Sequence, residues 1–155
     1  PASQFAPVCL FNIAAIYDGQ GELPATIATL RELVSAYPKT RESIDGHLYI
    51  AALQADHEQF ADANKTLDEV LARDNLTFAD RVEAYARKGY SLLELKQYDD
   101  ADKALQQAVA QWRAANHIDD PYYIAMARHY RGEVAHQKFL AAPVRLPVDQ
   151  EVADL

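Results

Sequence analysis

His129, Glu133 and His136 stand at i, i+4 and i+7, so one face of a helix can present all three side chains. Imidazole and carboxylate at that spacing are metal-ligand chemistry, and Glu133-x-x-His136 has the spacing used in di-iron helical bundles. Such a site needs a second motif of the same kind and further carboxylates. No other Glu-x-x-His occurs. The three residues are therefore expected to form a polar wall, with no metal bound.

Cys9 is the other intrinsically reactive group. No histidine is fixed beside it in sequence, and it falls on or next to the apolar stripe of the first helix, so a buried, inert thiol is expected. As the only cysteine it can form neither an internal disulfide nor a cysteine-based zinc site. His47, His57 and His117 are placed in or near loops and helix ends, with no evident partner. Phosphate loops, the dinucleotide fingerprint, the nucleophile elbow and His-Glu-x-x-His are all missing. Neither enzymatic activity nor a cofactor is expected.

The elements that must position these residues follow from composition and periodicity. A chain of 155 residues suggests one domain, and 50% hydrophobic residues exclude disorder as the main state. Runs of Val, Ile and Thr are scarce, which favours an all-α protein. The net charge is −8, and the nearest approach to a basic stripe is Arg128, Arg131 and Lys138 on a single helix. Nucleic acid is therefore not an expected partner, and an anionic membrane surface would repel the chain. No apolar run reaches 18 residues, so membrane insertion is not expected either. The chain opens on Pro1 and stops at Leu155 in mid-pattern, as expected of a piece of a longer protein.

Leu23-x-x-Thr26-x-x-x-Leu30-x-x-Leu33-Val34 recurs as Phe60-x-x-Ala63-x-x-x-Leu67-x-x-Val70-Leu71. It recurs again as Tyr98-x-x-Ala101-x-x-x-Leu105-x-x-Ala108-Val109, with anchors 37 and 38 residues apart. A period in this range means stacked supersecondary units. Seven helices are expected: Ser3 to Asp18, Leu23 to Tyr37, Thr40 to Ala55, Glu58 to Arg73, Phe78 to Leu95, Tyr98 to Asn116 and Pro121 to Leu140. Gly19-Gln20-Gly21 ends the first, Thr40 and Asp120 are N-caps, and Thr77-x-x-Asp80 has the form of a capping box. Gly46 is expected to weaken the third. Residues 1–140 form the repeat domain, and 141–155 a proline-containing tail whose Val148 to Leu155 segment starts an eighth helix.

Leu10-Phe11-Asn12-Ile13-Ala14-x-x-Tyr17-x-x-x-Gly21-x-Leu23-x-x-Thr26, closing at Pro38, resembles a tetratricopeptide repeat. Tyr85-x-x-x-Gly89-x-x-Leu92 with Tyr98, Ala101 and Ala108 is a second match, and His47-x-x-Ile50-Ala51 with Phe60 and Ala63 a weaker third. Arg128-x-x-x-Gly132 aligns with the first helix of a fourth repeat. The repeats exceed the family's 34 residues, and the Gly89–Gly132 step of 43 implies a longer sixth helix or loop. The resemblance implies a right-handed α-solenoid of antiparallel helix pairs. In it Ala14, Ala51 and Gly89 allow close approach, while Tyr17, Phe60 and Tyr98 fill between helices.

It also implies a non-catalytic protein–protein interaction scaffold, with the first helix of each pair lining a groove for a partner peptide or helix. Mapped by position, the wall comprises Phe11, Asn12 and Ala15, then Asp45, Leu48, Tyr49 and Ala52, then Glu83, Ala86, Arg87, Tyr90 and Glu94, and finally His129, Tyr130, Glu133 and His136. Family members that grip the C-terminal carboxylates of heat-shock chaperones use a basic clamp. Here only Asn12 matches it, and Asp45 and Glu83 would repel an acidic tail. The alternative is a self-associating or regulatory segment of a larger protein, in which Tyr123, Ala127, Tyr130 and Val134 of the seventh helix form an exposed apolar face.

Overall fold

The structure, a computed structural model, describes residues 5–116 and 121–142. They form α1 (Ala6–Gly19), α2 (Leu23–Ala36), α3 (Arg41–Asp56), α4 (Phe60–Leu71), α5 (Phe78–Glu94), α6 (Tyr98–Ala114) and α7 (Pro121–Ala141), with no strand among the described residues. Ser3, His117, the Asp120 cap and the tail beyond Ala142 lie outside the described residues.

Local chemistry sets the boundaries. Thr40 caps α3 by accepting from the Ser43 amide, and Thr77 and Asp80 form the reciprocal capping box of α5. Asp80 is also held by Arg41 at 2.7 and 2.8 Å, which ties the start of α3 to the start of α5. Burial opposes the charge of Asp80, but Arg41 and Thr77 together hold its carboxyl below the ordinary value.

The turn inside each pair is one motif used three times. Gly21, Glu58 and Lys96 occupy equivalent positions with φ of 75°, 59° and 60°. At each the amide of this residue and the next bond back into the preceding helix: Gly21 to Asp18 and Glu22 to Tyr17, Glu58 to Ala55 and Gln59 to Gln54, Lys96 to Leu93 and Gln97 to Leu92. Glu58 is therefore a turn residue, and α4 begins at Phe60 rather than at Glu58.

Small residues fix the crossings. A Cβ on Gly89 would lie 2.3 Å from Leu105 Cγ and 3.3 Å from the Ala101 carbonyl, so α6 crosses α5 against bare backbone. Gly46, expected only to weaken α3, lets α3 settle on α2, since a Cβ there would lie 3.2 Å from Leu33 Cδ2. Ala14, Ala51, Ala63 and Ala101 are buried at the matching positions. Thr26, where alanine is usual in such repeats, buries its methyl and donates its hydroxyl to the Glu22 carbonyl at 3.1 Å. The longer repeat step is explained by α6, with 17 residues against 12 in α4.

Three small cores run through the stack instead of one. The first joins α1, α2 and α3 through Ala14, Leu30, Ile50 and Leu53. The second joins α3, α4 and α5, and the third α5, α6 and α7. Each pair is thus completed by the first helix of the next, as nearest-neighbour stacking requires. His47, expected near a helix end, is in fact buried within α3. Its Nδ1 lies 2.8 Å from the Ser43 carbonyl, and burial is the first cause lowering its pKa.

Two substitutions in this frame have opposite signs. Gly89→Ala forces Leu105 aside and is expected to cost about 1–3 kcal/mol. Lys96→Gly relieves about 1–2 kcal/mol of left-handed strain against about 0.4–1 kcal/mol of extra chain entropy, for a small net gain. Thermal melts should show a fall in Tm for the first and a rise of a few degrees at most for the second.

Candidate partner-binding groove

The two rows of helices are spaced differently. Among the odd-numbered helices, α1 packs on α3, α3 on α5 and α5 on α7. No Cα of α2 comes within 8 Å of α4, nor any of α4 within 8 Å of α6. The odd row is therefore the inside of the bend. The spread of the even row opens clefts on the opposite face: about 320 Å³ between α2 and α4, floored by His47, Ile50 and Gln54, and about 540 Å³ between α4 and α6, floored by Tyr85 and Leu92.

On the inner face, α1 and α3 meet through Phe11 and Tyr49, with ring centroids 6.1 Å apart. The Tyr49 hydroxyl donates to Asp18 Oδ2 at 2.5 Å. Burial first, and then this carboxylate, push its phenol up to about 12. Asn12, one residue from Phe11, is exposed and takes no part.

Between α5 and α7 the side chains form a closed network. Arg87 Nε donates to Glu83 Oε1 at 2.8 Å, Arg87 Nη2 to the Tyr123 hydroxyl at 2.8 Å, and that hydroxyl to Glu83 at 2.7 Å. The guanidinium also lies 5.2 Å from the Tyr123 ring centroid. Arg87 is therefore already engaged, and Glu83 is neutralised. Asp45 is likewise bound by Arg41 at 2.6 Å. The charge of Glu83 is thus compensated within the chain, while Asp45 shares the single charge of Arg41 with Asp80.

Further along the same helices, Tyr90 stacks at 4.8 Å on Tyr130 and meets Phe60 edge-on at 5.9 Å, while His129 borders Tyr130 at 5.1 Å. Burial first, then the charges of Glu94, Asp56 and Glu58 as well as Tyr130, hold the Tyr90 hydroxyl above its ordinary value. Glu133 is half-buried, accepts from Gln137 at 2.8 Å and shares a recess with Glu94, Lys96 and Tyr98. His136 is exposed, and among the described residues no three His, Cys, Asp or Glu groups are placed to hold a metal ion.

Two family models of the tetratricopeptide repeat match the chain, one over residues 8–40 and the other over residues 82–110. This is a tetratricopeptide-repeat protein. The matches coincide with the α1–α2 and α5–α6 pairs, the two that carry the repeat's glycine, either in the turn at Gly21 or at the crossing at Gly89. No curated protein and no solved structure matches the chain.

Several expectations about this repeat protein are corrected by its packing. Leu48 and Ala86, assigned to the groove wall, are buried in the cores. The α7 face expected to be exposed is the packed one. Ala127 and Val134 are buried, and Tyr123 and Tyr130 are half-buried against α5. The reason is that α7 packs on the α5–α6 pair and turns this stripe onto it. Its open side carries Phe139 and Leu140, 73% and 62% exposed. Cys9 is exposed as well, because it lies about 140° round the helix from Ala14, which marks the packed side. Tyr17, expected to fill between helices, is 36% exposed, although it stands only about 60° round the helix from Ala14. Arg131 and Lys138 are spent on Asp102 and Asp99 of α6, and Arg128 lies over Trp112. These cations hold α7 in place and do not form a free basic patch. Phe60, Asp18 and Glu58 belong to the inner face but were not assigned there. Only the fold brings them beside Tyr90 and Tyr49.

The Tyr49–Asp18 bond makes a direct prediction. In a carbon-13 NMR titration of tyrosine rings, Tyr49 should remain protonated at pH 11. Asp18→Asn should move its midpoint part of the way down towards 10, since burial remains. An unmoved midpoint would mean that the bond does not form.

Proposed function

We propose that the chain is a non-catalytic protein–protein interaction scaffold that binds a partner peptide or helix along the face lined by α1, α3, α5 and α7. Repeats of this family are interaction modules in general, and nothing in the site speaks for catalysis. The observation that carries the reading is the set of half-exposed aromatic rings on that face: Phe11 with Tyr49, and Phe60 with Tyr90 and Tyr130. Amphipathic rings on a rigid helical wall offer large contact area with little side-chain entropy to lose. Asn12, Arg87, His129, Glu133 and His136 supply the polar margin of the same wall.

A second reading is self-association through the open side of α7, favoured by Phe139 and Leu140 at its end. The two separate cleanly. Affinity capture from the native lysate with wild type, Tyr90→Ala and Phe139→Asp should give one protein that is lost with Tyr90→Ala and retained with Phe139→Asp. Capture of the chain's own full-length form alone, lost with Phe139→Asp, would overturn groove binding. Tyr90→Ala must keep the wild-type circular dichroism spectrum for the comparison to count.

A further inference from the structure

We propose that the Tyr90–Tyr130 end of the groove recognises a cationic side chain, lysine or arginine, of the bound peptide. This deepens the groove-binding reading and rests on it. The acids of the inner face fall into two sets. Asp18 accepts from Tyr49, Asp45 is bound by Arg41, and Glu83 is bound by Arg87. Asp56, Glu58 and Glu94, which bear on the Tyr90 ring, enter no ion pair among the described residues. Lys96 lines the recess beside Glu94 and Glu133 and bonds neither.

The position of these acids is itself unfavourable. Asp56 is the last residue of α3 and Glu94 the last of α5, and neither helix has a basic residue in its last turn. Carboxylates there face the negative end of the helix dipole, where cations are preferred. An incoming ammonium or guanidinium would meet three complementary features: the carboxylates, the helix C-termini, and the faces of Tyr90 and Tyr130. The net charge of −8 would draw such a peptide in from a distance.

The probes are short fluorescein-labelled peptides of Leu-Lys-Ala repeats, with versions carrying Gln or Glu in place of Lys, read by fluorescence anisotropy on the whole chain. The Lys peptide should bind about tenfold more tightly than the Gln peptide and weaken as salt rises. The Glu peptide should bind least. Glu94→Gln should weaken the Lys peptide severalfold. Asp100→Asn, the same charge change on the outer side of α6, should leave it unchanged. Equal affinity for the Lys and Gln peptides, with both lost in Tyr90→Ala, would overturn the cation preference and leave the groove standing. Equal weakening by Glu94→Gln and Asp100→Asn would reduce the effect to net charge and overturn the local site. Binding indifferent to Tyr90→Ala, or no binding at all, would overturn both readings.

Discussion

The close crossing of the two helices in each pair sets the geometry on which the rest of this chain depends. At Gly89 there is no room for even one methyl group before Leu105, and Ala14 and Ala51 occupy the same position in the earlier pairs with no exposure to speak of. Ridges can pack deeply into grooves only where side chains are this small. That depth brings each odd helix against the next while the even helices splay apart, and the unequal spacing bends the stack. The inner wall, its aromatic rings and the outer clefts all follow from it.

A second constraint works through the turns. Gly21, Glu58 and Lys96 take the same left-handed conformation, so the same hydrogen-bonded turn joins the two helices of each of these pairs. Two of the three are not glycine, so the stack accepts local strain to keep the geometry uniform. The same turns deliver Glu58 and Phe60 to the edge of the groove beside Tyr90. Turn chemistry and site composition are thereby coupled.

Much of the fold was legible from residue types alone. Period-3.6 stripes, Thr40, the Thr77–Asp80 box and Gly89 are local signals, and each describes its own segment whatever surrounds it. The candidate site was less legible, because a side chain's availability depends on a helix distant in sequence. Arg87 is a groove residue by spacing, yet its charge is consumed by Glu83 and by Tyr123, which lies 36 residues away. Asp45 is likewise paired, with an Arg41 that it shares with Asp80. The face of α7 was misassigned for a related reason. Periodicity identifies the apolar stripe Tyr123–Ala127–Tyr130–Val134 but not whether a neighbour covers it, and α5 and α6 do. For Cys9 the stripe of α1 was drawn too wide, since Ile13 as well as Cys9 faces outward.

The claim that the odd-helix face is the working surface is tested most directly by amide chemical-shift mapping of the isotope-labelled chain titrated with a bound peptide. Shifts concentrated on the inner residues of α3, α5 and α7, centred on Tyr49, Tyr90 and Tyr130 and sparing the outer residues of α2, α4 and α6, are what the account predicts. Shifts centred on the clefts around Gln54 and Tyr85, or on Phe139 and Leu140, would contradict it.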